Sequence, residues 1–347
     1  MNGEIKKAKS FDLGTAANAV LIAFGVQIVF QSILSFFSLS DKTYTWIVVI
    51  MNQVIFAAVA LTFCFWKKVD PLAVVGAKEP PKWYFFPVAI LIAICCVTCF
   101  APLSGLFSRL LEKLGYEHTP QYFISRDNAG LFTLAFFALT LLPVLGEEVI
   151  FRGVLLSGAR KKSPLFAVFY TALIFALFHG NLNQLIHQFL LGMVMGYLAY
   201  LTGGIYISAV VHITNNAIAM LLDYGFANNF VDHSFYYYLS GELGAEVTII
   251  SMAVSFFGLM MLLVFLTVLL HRERSKVKDF EGSEDGVLSK INAYLIYLST
   301  PTVEREKQAG EEQGSKTPMD GYTRMVVILL VAVLAAVVIL TLIPGGK

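Results

Sequence analysis

In the run LLPVLGEEVIFRGVLL, Glu147, Glu148 and Arg152 stand among residues that otherwise read as a helix buried in lipid. A charge near the bilayer centre costs roughly 2.5–3.5 kcal/mol on insertion scales, so three within one short run need compensation. On an α-helix, residues four apart differ by about 40° and residues five apart by about 140°, which puts Glu148 and Arg152 on one face and turns Glu147 away. An ion pair with Glu148 then neutralises Arg152. Glu147 is left as an ionisable carboxylate with no local partner, a state that requires protonation, a water-filled cavity or a distant hydrogen-bond donor. Pro143 and Gly146, just upstream, loosen the helix there.

Two further apolar runs carry imidazoles. IFALFHG sets His179 four residues after Phe175, and VVHITNN sets Asn216 four residues after His212, with Asn215 beside it. Each alone is explained as an interhelical hydrogen-bonding group. Together, Glu147, His179, His212 and Asn216 form the set needed for amide hydrolysis inside a membrane. That set comprises a general base, an imidazole to orient water and move protons, and donors for an oxyanion. General acid–base catalysis contributes about 10²–10⁴-fold, and donors aimed at a developing oxyanion about 2.7–4 kcal/mol each. Other hydrolytic chemistries lack their residues. There is no Gly-x-Ser-x-Gly elbow and no His-Glu-x-x-His helix, while Asp70, Asp127 and Asp223 fall at span edges or in loops rather than as a paired dyad.

The elements that must position these groups are membrane helices. Hydrophobic residues make up 57% and charged residues 14% of the chain, with a mean hydropathy of +0.71, a composition that specifies a membrane protein. Apolar runs fall near 15–37, 44–66, 83–103, 130–150, 165–180, 184–201, 204–223, 246–270 and 325–343. Each approaches the roughly 20 residues that cross about 30 Å of hydrocarbon, the fifth and sixth being shorter and interrupted by polar residues. The runs are continuously apolar, which argues against a β-barrel. The expected fold is all-α, a polytopic membrane helix bundle of about eight core spans plus one extra C-terminal span.

Lys6, Lys7 and Lys9 precede a first span that is long and lacks a small-residue cleavage site, so it reads as a retained helix. With the N-terminus cytoplasmic, Lys67, Lys68, Lys78 and Lys82, then Arg160, Lys161 and Lys162, then Arg272, Arg274, Lys276 and Lys278 all fall on the cytoplasmic side. The net charge of +1 offers nothing for nucleic acid. Cys64, Cys95, Cys96 and Cys99 lie in apolar helices without His spacing for zinc, and read as buried reduced thiols. SGLFSRLLEKLGYEHTP has the pattern of a helix lying in the membrane interface. Residues 271–324 read as a charged cytoplasmic tether whose basic opening touches anionic headgroups and within which INAYLIYL forms a short interfacial helix.

The three motifs resemble those of the CPBP family of intramembrane proteases, also called the CAAX protease, bacteriocin-processing or Abi family. Its signatures are Glu-Glu-x-x-x-Arg, Phe-x-x-x-His and His-x-x-x-Asn on successive helices. Here they read EEVIFR at 147–152, FALFH at 175–179 and HITNN at 212–216, and QFLLGMVMGYLAYLTGGIYISAVVH is also similar. The resemblance covers about residues 80–225. It implies an intramembrane endopeptidase related to the Ras-converting CAAX endopeptidase. Glu147 and His179 would activate water, His212 and Asn216 would form the oxyanion site, and Glu148 with Arg152 would support them. No cofactor is expected. Members have also been described as metalloproteases, with Glu147, His179 and His212 as the zinc ligands by position, but the absence of a dedicated zinc pattern favours the metal-free mechanism.

The organisation expected is N-terminal helices over 1–79, a catalytic core over 80–225, an eighth span within 226–270, the tether over 271–324 and a last helix within 325–347. The expected partners are the bilayer and a membrane-associated peptide or protein substrate. In a bacterium the location is the plasma membrane. Two other functions compete. One is a non-proteolytic immunity or scaffold protein in which the polar cluster only holds helices together. The other is a proton-coupled transporter, against which the lack of an inverted repeat counts.

Overall fold

The computed structural model describes residues 11–78, 80–116, 128–277 and 321–340. Nine long helices are found among them and no strand, so the protein is an all-α polytopic membrane bundle. They are α1 (Leu13–Leu34), α2 (Asp41–Lys67), α3 (Phe85–Lys113), α4 (Ala129–Ala159), α5 (Pro164–Phe178), α6 (Leu185–Thr202), α7 (Tyr206–Ala227), α8 (Ala245–Val277) and α9 (Gly321–Leu340). Local sequence sets their starts. The side chains of Asp12, Ser40, Asn128 and Ser163 accept from the backbone N–H of Thr15, Thr43, Leu131 and Phe166, so each closes a first turn. Pro164 follows its cap at the first helical position, where a missing N–H costs nothing.

α1, α2, α3, α4, α8 and the stretch Leu182–Thr202 ending in α6 are long and apolar enough to cross a membrane. α5 is a shorter apolar helix, about 22 Å at 1.5 Å per residue, and falls short of the hydrocarbon thickness. His179 is its C-cap, followed by Gly180 at φ +58°, so the chain turns within the membrane and carries an imidazole there. α7 has spanning length, but Ser208, His212, Asn215 and Asn216 interrupt its apolar surface.

Packing brings the motif helices together. α5 packs on α6, and α3 crosses α7 and α8. α2 lies along the second half of α4, and α9 docks on α1 and α5. Beside the charged motif Ile150, Phe151, Leu155, Leu156, Phe175 and Leu191 are fully buried. On one face of the bundle Gly76, at φ +62°, meets Gly203 and Gly204 so closely that an added Cβ would lie 2.0 Å from the Gly203 carbonyl oxygen. This contact joins the α2–α3 loop to the end of α6.

Two expectations are corrected. The segment after Pro102 is no separate interfacial helix, because α3 runs unbroken through that proline to Lys113. The tether is shorter than 271–324, because α8 continues to Val277 and α9 starts at Gly321. INAYLIYL lies outside the described residues. The four cysteines are free; Cys64, Cys96 and Cys99 are buried and Cys95 is half-buried.

Candidate active site

The segment Val144–Leu155 within α4 is a π-helix, and it holds Glu147, Glu148 and Arg152. Such wide turns are rare and concentrate at functional sites. Pro143 at its start has no N–H to complete an α-helical ladder, and Gly146 lets α2 approach, since an added Cβ would sit 2.2 Å from Gln53 Oε1 and 2.8 Å from Gln53 Cα. Bonding from i to i+5 changes the angular relation assumed for an α-helix, so residues five apart come nearer to one face. Both glutamates consequently reach the same histidine.

Glu148 is fully buried and saturated. Its Oε1 lies 3.1 Å from Arg152 Nη1 and accepts from His212 Nδ1 at 2.9 Å, and its Oε2 accepts from Ser208 Oγ at 2.7 Å. The guanidinium is 2% exposed, stands 4.1 Å over the ring of Phe175, and relies on the carboxylate and that ring rather than on aligned hydrogen bonds. A desolvated cation over an aromatic face contributes about 2 kcal/mol. The Phe175 ring is also edge-on to His179 at 4.7 Å and to His212 at 6.0 Å between centroids. The first residue of Phe-x-x-x-His is therefore the packing hub for all three motifs.

Glu147 is differently placed. Its side chain is 14% exposed, its Oε1 accepts from Gln53 Nε2 at 2.8 Å, and its Oε2 faces His212 Nε2 at 3.8 Å. Of the three ways of accommodating a carboxylate with no local partner, the structure shows a distant donor, Gln53 of α2. His179 Nδ1 lies 2.8 Å from the Phe175 carbonyl oxygen, which can only accept, so Nδ1 carries the proton and neutral His179 has Nε2 as its basic nitrogen. By the same logic His212 Nδ1 donates to Glu148. Asn216 Nδ2 donates to the Leu139 carbonyl at 3.0 Å, which uses one of its two N–H groups.

A cavity of about 880 Å³ joins these groups, lined by Gln53, Glu147, His179, His212 and Asn216 among others. Glu148 and Arg152 lie behind its wall. All six residues read from the motifs are thus gathered, four on the cavity and two supporting them. Gln53, Ser208 and the pair His187–Asn215, 3.2 Å apart, were missed. Gln53 and Ser208 carried a signal. Asn52-Gln53 is a polar pair in an apolar run, and Ser208 sits one turn before His212. Gln53 also shows that the site extends beyond residues 80–225.

Among the described residues no three His, Cys, Asp or Glu side chains are grouped to hold a metal ion.

A membrane helix bundle with ionisable side chains of three motifs on one internal cavity is the class defined by this fold and site. Residues 129–218 match the family model described as Rce1-like, type II CAAX prenyl endopeptidase. This stretch, about a quarter of the chain, is similar to that family of endopeptidases, in line with the resemblance carried by the three motifs. The match runs from the start of α4 into α7 and leaves α1–α3, α8 and α9 outside. No curated protein and no solved structure matches.

Proposed function

We propose that the protein is a multi-pass membrane endopeptidase of the metal-free glutamate type, with its N-terminus in the cytoplasm, which cleaves a membrane-associated peptide or protein in the cavity above Glu147. The observation that carries this reading is the division of labour between the adjacent glutamates. Glu148 has its oxygens committed to Arg152, His212 and Ser208, whereas Glu147 has one oxygen fixed by Gln53 and the other turned to the cavity.

In this mechanism Glu147 Oε2 removes a proton from water while the water oxygen bonds to the scissile carbonyl carbon. The π-electrons of C=O move onto oxygen, and the oxyanion is met by the second N–H of Asn216 and by His212. His212 already donates through Nδ1 to Glu148, so it supplies Nε2–H to the oxyanion only as an imidazolium. Collapse of the tetrahedral species breaks the C–N bond as the proton passes from Glu147, directly or through His179 Nε2, to the leaving nitrogen. Glu147→Gln keeps the shape and the contact with Gln53 but cannot take the proton. Cleavage should fall by at least about 10²-fold with unchanged membrane abundance. Comparing membrane proteomes of cells carrying either form reads both, and equal cleavage by the variant would refute the assignment.

A further inference from the structure

Resting on the reading of this cavity as the proteolytic site, we infer that it takes its peptide from the membrane face opposite the basic loops, and that this peptide is an unprenylated, extended segment. Contacts fix which ends lie together. Arg160, at the end of α4, donates to the carbonyls of Ala199 and Tyr200 near the end of α6 at 2.6 and 3.1 Å. Lys82 pairs with Glu273 of α8, and Gly76 packs on Gly203 and Gly204. Lys67, Lys68, Lys78, Lys82, Arg160, Lys161 and Arg272 therefore share one face, which the distribution of basic residues makes cytoplasmic.

The cavity runs the other way. On α7, His212 stands about 9 Å along the axis from Tyr206, but the lining residue Asp223 stands about 25 Å along it. On α2 the lining continues from Gln53 through Val49 to Thr45 and Tyr44, which is about 34 Å along the axis from Lys67. On the cytoplasmic side of the glutamates the space is filled, with Phe151, Val154, Leu155 and Leu156 fully buried. Glu147 and His212 thus form the floor of a cleft whose mouth lies between the start of α2 and the end of α7.

Its walls carry the carboxamides of Asn52, Gln53, Gln184, Gln188 and Asn216, paired donors and acceptors that suit the backbone of an extended peptide. A prenylated C-terminal cysteine is made in the cytoplasm and would meet the filled side of this bundle. A polypeptide segment on the opposite face has a direct path to Glu147.

The test needs no substrate. Thr45→Cys on α2 and Ala219→Cys on α7 place thiols on the cavity wall, and Lys161→Cys places one on the exposed basic face. Labelling of the native Cys64, Cys95, Cys96 and Cys99, read on the unsubstituted protein, gives the background. With a membrane-impermeant maleimide on intact bacterial cells, at least one wall thiol is expected to label equally before and after permeabilisation. Lys161→Cys should label only after it. Wall labelling only after permeabilisation, labelling of Lys161→Cys in intact cells, or no wall labelling in either state overturns the inference. Glu147→Gln separates it from the function proposed above. If that variant still cleaves while the labelling pattern holds, the proteolytic role of Glu147 fails and the sidedness of the cavity stands.

Discussion

The pair Glu148–Arg152 allows a stability measurement that requires no substrate. Arg152→Met removes the guanidinium but keeps a long side chain over Phe175, and leaves Glu148 with His212 and Ser208 as donors. Glu148→Gln leaves Arg152 fully buried with no anion in contact and disturbs the His212 bond as well. Breaking a buried pair from one side costs about 3–5 kcal/mol, because the partner remains as an uncompensated charge. Glu148→Gln should sit at the upper end of that range and Arg152→Met at the lower, since the remaining carboxylate still has two donors. Against a total of about 5–15 kcal/mol, either change removes a large share of the stability. The double variant leaves no charge stranded, so its loss should be about 1–3 kcal/mol smaller than the sum of the single losses. Unfolding in mixed micelles of mild detergent and dodecyl sulfate, with membrane abundance as a second readout, measures all three. Additivity within about 0.5 kcal/mol would refute the coupling and with it the supporting role assigned to the pair.

Two further outcomes follow from α2. Gln53→Met preserves volume and removes the donor to Glu147 Oε1. A hydrogen bond to a charged group contributes about 1.5–3 kcal/mol, so kcat should fall about 10- to 100-fold with abundance near that of the parent. An unchanged kcat in a proteolysis assay on reconstituted protein would remove Gln53 from the site. Gly146→Ala forces a methyl into a space where Gln53 Oε1 lies 2.2 Å and Gln53 Cα 2.8 Å away. Overpacking of about 1–3 kcal/mol should appear in the same micelle assay, together with lost cleavage as α2 moves from Glu147; a fully stable, active Gly146→Ala would contradict the close approach.

The spans were legible because lipid demands continuous apolar length, and the helices fall where the hydropathy places them, including the short α5 that the polar residues after Phe178 foretell. The motif residues were legible for the complementary reason: Glu147, Arg152, His179 and His212 are costly in hydrocarbon, so each marks a position where something offsets that cost. The Glu148–Arg152 pair was read from spacing; what could not be read was which groups meet Glu147 and the histidines. The α-helical angle set Glu147 and Glu148 on separate faces, whereas both carboxylates lie beside His212. The π-helix of Val144–Leu155 is a departure in backbone hydrogen bonding that side-chain periodicity does not reveal, and through it both carboxylates meet His212. The signal of Gln53 was weak for a different reason. A neutral amide costs too little in a span to stand out, and its importance arises only from the contact that Gly146 permits between α2 and α4. A buried charge therefore announces a candidate site, while the neutral donor that fixes its carboxylate is found only once the helices are packed. In this chain that donor comes from a helix outside the family-matched segment, so the three motifs alone do not contain the whole of the site that Glu147 needs.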